Sequence, residues 1–168
     1  PAAQWPHRIR LAPRYGRCMS GYQNILLAID CSQHSPALLT RAGQLCDAPS
    51  CLHLIHVIEP LALAYGADVP MDVSELQNSL TEKARTTALD YARERGIPES
   101  QVHVELGSIE KTIQDSAERI GADLIVIGSH TRHGLAVLLG STAKGIVPSA
   151  RCDVLAVKVD RVTADGAA

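Results

Sequence analysis

Five short apolar runs alternate with stretches of helical periodicity along this chain, and that alternation restricts it to an α/β architecture built on a parallel sheet. The first run, Asn24 to Asp30, is apolar throughout between polar ends, as a strand buried on both faces should be, which places it mid-sheet. Asp123 to Gly128 has the same character and is also expected to be central. Cys51 to Ile58 forms the second strand, and Asp153 to Val159 the fifth. Gln101 to Leu106 alternates polar and apolar residues, which suits an edge strand with one wetted face.

The intervening segments carry helix punctuation. Ser35-Pro36 reads as an N-cap followed by Pro at the first helical position, with Leu38, Leu39, Ala42, Leu45 and Cys46 on one face and Asp47-Ala-Pro49 as the stop. Asp72 and Glu75 form a capping pair ahead of a face running Val73, Leu76, Leu80, Ala84, Ala88 and Tyr91, which Gly96 and Pro98 end. Gly107-Ser108 opens a third helix that points Ile109, Ile113, Ala117 and Ile120 inward and closes at Gly121. A short helix after Ser141-Thr142 is limited by Gly145 and Pro148. The order is β-α-β-α-β-α-β-α-β, with right-handed crossovers expected.

At 168 residues the chain suits one domain, and 46% hydrophobic with 20% charged residues is an ordinary globular composition. Phe is absent and aromatics reach only 3%, so the core is aliphatic and lacks the rings on which single-stranded nucleic acid stacks. Residues 1–18 carry Arg8, Arg10, Arg14 and Arg17 and no acid, whereas the remainder sets 12 Lys or Arg against 18 Asp or Glu. A mildly acidic body argues against a broad electrostatic grip on DNA or RNA. Residues 1–21 are expected to be a flexible basic extension, with Met19-Ser20 resembling a translation start; residues 22–160 are expected to form the α/β domain and 161–168 a tail. No stretch reaches the ~18 apolar residues of a membrane-spanning helix. The richest, Cys51 to Met71, is interrupted by His53, His56, Glu59 and Pro60. The five cysteines show no C-x-x-C spacing and fit reduced, packed thiols in a cytoplasmic protein.

In an open parallel sheet, ligands bind beyond the carboxyl ends of the strands where the strand order reverses, which directs attention to Asp30, Val57-Ile58 and Gly128. The segment Gly128 to Thr142 has the ingredients of an anion site. Gly128 permits close backbone approach, Gly140-Ser141-Thr142 offers amides and hydroxyls at a helix start, and Arg132 and Lys144 add positive charge. The same residues also suit an ordinary strand-to-helix turn with a Ser/Thr cap, and the spacing matches neither G-x-x-x-x-G-K-[ST] nor G-x-G-x-x-G.

Five motifs in order, Ile25 to Asp30, Leu54 to Ile58, Gly128-Ser129-His130, Gly140-Ser141-Thr142 and Cys152 to Val157, resemble the universal stress protein family across about Tyr22 to Val159. The resemblance implies a single-domain, five-stranded parallel sheet of order 3-2-1-4-5 with helices on both faces, and a homodimer joined along the last strand. It also implies ATP, with or without Mg²⁺, bound through a G-x2-G-x9-G-[ST] pattern. In that family pattern Asp30 would contact ribose or adenine, Val57 would lie against the base, and Gly128, Gly140, Ser141 and Thr142 would cradle ribose and phosphates. The chain departs at Thr131, which takes the second glycine position and is separated from Gly140 by eight residues rather than nine. The shorter spacing resembles that of members with a GSHGRHG-like loop. The threonine β-carbon, by contrast, resists positive φ and crowds the triphosphate's path.

Other candidates have plainer alternatives. Asp30 can cap the turn that follows it. His53 and His56, three apart on a strand, point to opposite faces and fit packed residues better than a metal pair. His130 and His133 suit either phosphate contact or a solvated loop. Cys31 beside Asp30 is a thiol whose pKa the carboxylate raises, which opposes reactivity. No nucleophile–base pair and no acidic pair for Mg²⁺ is evident. The chain is therefore expected to be a nucleotide-binding regulator or sensor, with a non-binding dimeric interaction module and a slow ATP hydrolase as alternatives.

Overall fold

The computed structural model describes residues 21–61, 73–129 and 141–158. They form strands β1 (Ile25–Ala28), β2 (Leu52–Ile58), β3 (Val102–Leu106), β4 (Leu124–Ser129) and β5 (Asp153–Lys158), with helices α1 (Ser35–Gly43), α2 (Ser74–Arg95), α3 (Ile109–Ile120) and α4 (Ser141–Ile146). All pairings are parallel and the sheet order is 3-2-1-4-5.

Burial follows the sequence patterns that placed the strands. Ile25, Leu26 and Leu27 of β1 are fully buried, as expected for the central strand, and β4 is nearly as enclosed. β3 occupies one edge and is half-buried, as its alternating sequence predicts. Side chains alternate between two aliphatic layers. Leu27, Leu54 and Val126 meet Leu38, Leu39, Ala88 and Ala92 of α1 and α2 on one face. Leu26, Ile55, Ile125 and Ile127 meet Ile113, Ala117 and Ile146 of α3 and α4 on the other.

Both long helices end where glycine was expected to end them. Gly96 (φ 67°) and Gly121 (φ 64°) take the left-handed conformation, which glycine adopts without a β-carbon clash, and return their amides to the last turns of α2 and α3. Elsewhere the elements shift. The N-cap of α1 is His34, and Ser35 lies inside the helix because its hydroxyl bonds Asp30 instead of a helix amide. α1 stops at Gly43, ahead of Asp47-Ala-Pro49. Leu76 and Leu80, expected on the inner face of α2, are 50% and 38% exposed, and that helix packs instead through Ala84, Ala88 and Ala92. Asp72 lies outside the described residues.

The amino ends of β1 and β4 are clasped by one carboxylate. Asp123 Oδ2 accepts the Gln23 N–H at 2.8 Å and Oδ1 the Asn24 N–H at 3.0 Å, while the Asp123 N–H donates to the Asn24 carbonyl at 3.0 Å. This sets the register of the two central strands and hence the relative height of their carboxyl ends.

Candidate functional site

From β1 the chain steps outward to β2 and β3, then crosses to the other side of β1 for β4 and β5. The helices that follow β1 and β4, α1 and α4, pack on opposite faces of the sheet, which opens a crevice above the carboxyl ends. A cavity of about 350 Å³ occupies it. Its walls are apolar on both sides, with Ile29 and Leu38 from the α1 face and Val57, Ile109 and Ile127 from the α3 face.

Asp30, Val57, Gly128 and Thr142, all singled out from the sequence, line this cavity together. Ser141 starts α4 immediately before Thr142. Thr131, Arg132 and Gly140 lie outside the described residues, as do His130 and His133. Lys144, expected to contribute charge, is exposed on α4 and is not among the cavity's lining residues.

Asp30 both caps its turn and faces the cavity. Its Oδ1 accepts the Ser32 N–H at 3.0 Å and the Ser35 hydroxyl at 3.2 Å. Burial pulls the carboxyl pKa up, but the hydrogen bonds from Ser32 and Ser35 outweigh it and hold the group below its ordinary value. The cavity therefore carries an ionised carboxylate at neutral pH. An anion would be repelled there, whereas the hydroxyls of a sugar or the amino group of a base could donate to it.

The turn depends on Cys31, whose φ of 55° is the one left-handed non-glycine conformation among the described residues. Such a conformation is costly for a side-chain-bearing residue and tends to persist at sites where the neighbouring structure fixes it. Tyr91 of α2 helps to fix it by donating its hydroxyl to the Ser32 carbonyl at 3.1 Å. Burial, then the Asp30 charge, push the Cys31 thiol up to about 11, so it is a packed thiol and not a thiolate nucleophile.

Two histidines that sequence reasoning did not assign to this site line it, His34 and His56. His56 Nδ1 lies 2.8 Å from the Ile29 carbonyl, which can only accept, so Nδ1 carries the hydrogen and Nε2 of the neutral ring is an acceptor. The backbone N–H of His34 donates to Ser32 Oγ at 3.2 Å. The available signal was adjacency: His56 precedes Val57 at a strand end, and His34 stands at the entry to α1. His53 faces the opposite side, as the spacing predicts, and lies beside His103 of β3. Among the described residues no cluster of three His, Cys, Asp or Glu is arranged to hold a metal.

The model of the universal stress protein family matches residues 21–158. Universal stress protein A homolog 1 of Coxiella burnetii is 36% identical over 139 residues, covering 81% of this chain and 96% of that protein. Among solved structures, the hypothetical protein MJ0577, the subject of a structure-based assignment of biochemical function, aligns with a TM-score of 0.66 at 26% identity, covering 84% of this chain and 99% of that one. A universal stress protein in complex with cAMP shares the fold at a TM-score of 0.52 and 22% identity, covering 83% and 98%. With sequence motifs, strand order and family match in agreement, the chain belongs to the universal stress protein family.

Proposed function

We propose that this chain binds an adenine nucleotide, ATP foremost, in the cavity above β1, β2 and β4, and acts in the cytoplasm as a stress-response regulator or sensor instead of a catalyst. The observation that carries this reading is the pairing of apolar walls with one ionised carboxylate at the point where the strand order reverses. Asp30 suits the ribose hydroxyls or the adenine amino group, and Val57 with Ile127 suits the flat face of the base. The phosphates would run away from Asp30 toward Gly128, Gly140, Ser141 and Thr142, with Arg132 available to neutralise charge; Mg²⁺, if used, would arrive on those phosphates. The cAMP complex of a protein alike in fold makes adenine nucleotides the ligand class to test first.

Equilibrium dialysis of the purified chain against labelled ATP tests the proposal. Saturable binding that Gly140→Trp abolishes is the expected result. Thr131 favours a second reading, in which the chain is a dimeric interaction module without nucleotide; binding that appears only after Thr131→Gly would establish that reading and overturn the first. Turnover over many cycles in the presence of Mg²⁺ would make the chain a hydrolase. In any of these cases we infer a homodimer formed along β5, whose outer edge has no strand partner among the described residues.

A further inference from the structure

At the opposite end of the sheet, the connection from α1 to β2 holds two thiols against one oxygen. Cys46 Sγ donates to the Ala48 carbonyl at 3.4 Å and Cys51 Sγ to the same carbonyl at 2.6 Å, so the two thiols converge on one oxygen. A 3-10 turn at Pro49–Cys51 folds the chain back on itself, fixed by the Cys51 N–H on the Ala48 carbonyl at 3.1 Å. Both cysteines are half-buried, and residues Asp47 to Ser50 between them are exposed. A cleft of about 270 Å³ lined by Cys46, Ala48 and Arg95 adjoins the pair. Cys31 and Cys152 are bonded or packed elsewhere, so among the described residues this is the one place where two sulfurs converge.

We propose that Cys46 and Cys51 are a thiol–disulfide exchange site, which closes as an intramolecular disulfide on meeting a low-molecular-weight disulfide such as glutathione disulfide and reopens with excess reduced thiol. Closure takes two exchanges. Cys51 loses its proton and attacks one glutathione sulfur; the glutathione S–S bond breaks, a mixed disulfide forms on Cys51, and one glutathione leaves and takes up a proton. Cys46 then loses its proton and attacks the Cys51 sulfur; the mixed disulfide breaks, and the second glutathione leaves and is protonated. Two electrons pass from the cysteine sulfurs to the glutathione disulfide.

The order of attack follows from the surroundings. Burial, then the neighbouring Cys51, raise the Cys46 thiol pKa, which disfavours Cys46 as the first attacker. Capping Cys51 removes its effect on Cys46, leaving burial as the main restraint on that thiol. The second step is then intramolecular between groups held at one carbonyl oxygen, which favours it over attack by a second glutathione. Disulfides in reducing compartments are characteristically transient and redox-sensing, which suits an exposed short loop at a distance from the cavity.

The test uses the full chain equilibrated in buffers of graded reduced-to-oxidised glutathione ratio, quenched with N-ethylmaleimide and digested with trypsin. Residues 42–83 form one tryptic peptide that contains Cys46 and Cys51 and no other cysteine. The expected result is a change from a doubly alkylated peptide to an unalkylated one lighter by two hydrogens, reversed by reduced glutathione. Cys46→Ser and Cys51→Ser should each leave the surviving thiol holding a glutathione that the wild type sheds, whereas Cys31→Ala should leave closure unchanged. Double alkylation at every ratio, a separate glutathione on each cysteine, or a disulfide joining either one to a different cysteine would overturn the proposal.

Discussion

The Ser35 hydroxyl donates to Asp30 Oδ1 across 3.2 Å, tying the first turn of α1 to the chain just beyond β1. Ser35 is fully buried, so this bond orients the carboxylate from behind while the cavity lies in front of it. Ser35→Ala should cost about 0.5–1.5 kcal/mol in urea unfolding and weaken nucleotide binding a few-fold. Asp30→Ala should weaken it by about tenfold or more, equivalent to about 1.4 kcal/mol. Because the folded Asp30 pKa lies below its unfolded value, its contribution to stability is complete above the ordinary carboxylate range and is lost as pH falls through the folded value. Asp30→Asn should therefore flatten the acid limb of the unfolding curve, measured between neutral pH and about pH 3; an unchanged limb would refute the assignment.

Two titrating histidines sit together on the α3 face of the sheet. His53 Nδ1 and His103 Nε2 are 3.4 Å apart, with ring centroids at 5.7 Å and planes within 7°. Gln101 Nε2 lies 3.2 Å from His53 Nε2, so His53 takes its hydrogen on Nδ1 and points it at His103. Burial, then the charge of His103, lower the His53 pKa; burial, then Arg119, lower that of His103, with Glu105 opposing. Depressed histidines bind fewer protons when folded than when unfolded, so stability is greatest above the unfolded pKa of about 6.5 and declines as pH falls toward the folded values. The thermal midpoint should drop on acidification from pH 7.5 to 5, and the double variant His53→Gln, His103→Gln should reduce that drop.

Removing the Asp123 carboxylate strands two backbone donors. Asp123→Ala leaves the Gln23 and Asn24 amides without their acceptors at the start of the central strand pair, and the cost should be about 1–3 kcal/mol, moderated by water at the exposed Gln23. Amide exchange should accelerate first at Gln23 and Asn24. Asp123→Asn, which keeps an acceptor oxygen, should recover part of the loss. Full stability in the alanine variant would show that the clasp contributes nothing to register.

The strands were legible because burial on two faces leaves an uninterrupted apolar run, as at Ile25–Leu27 and Leu124–Ile127, and burial on one face leaves alternation, as in β3. Helix ends at Gly96 and Gly121 were legible because positive φ selects glycine. The start of α1 was missed by one residue because Ser35 found a tertiary partner in Asp30, and no local pattern encodes that partner. Leu76 and Leu80 obeyed helical periodicity yet remain exposed, since periodicity shows that a face is apolar and not what covers it. Asp30 and Val57 were legible by position at strand ends, whereas His34 reached the cavity through the path of the loop after Cys31, whose left-handed backbone no sequence rule would assign to cysteine. The convergence of Cys46 and Cys51 on the Ala48 carbonyl depends likewise on the turn at Pro49, which brings together residues five apart that a periodic reading assigns to separate elements.

β5 pairs with β4 on one side and presents Leu155, 37% exposed, on a strand whose other side has no partner among the described residues. An apolar strand with an open ladder invites pairing with its like, and a twofold axis beside β5 would continue the sheet into a second copy. The wild-type chain should therefore sediment at twice its 18.0 kDa. Leu155→Lys places like charges near each other across such an axis while leaving the partly exposed side chain free to reach solvent in the monomer. The variant should keep the wild-type circular dichroism spectrum and raise the dimer dissociation constant by about tenfold or more, about 1.4 kcal/mol. A wild-type chain that stays monomeric at the highest concentration examined by sedimentation equilibrium, or a variant dimer as tight as the wild type, would remove β5 as the interface.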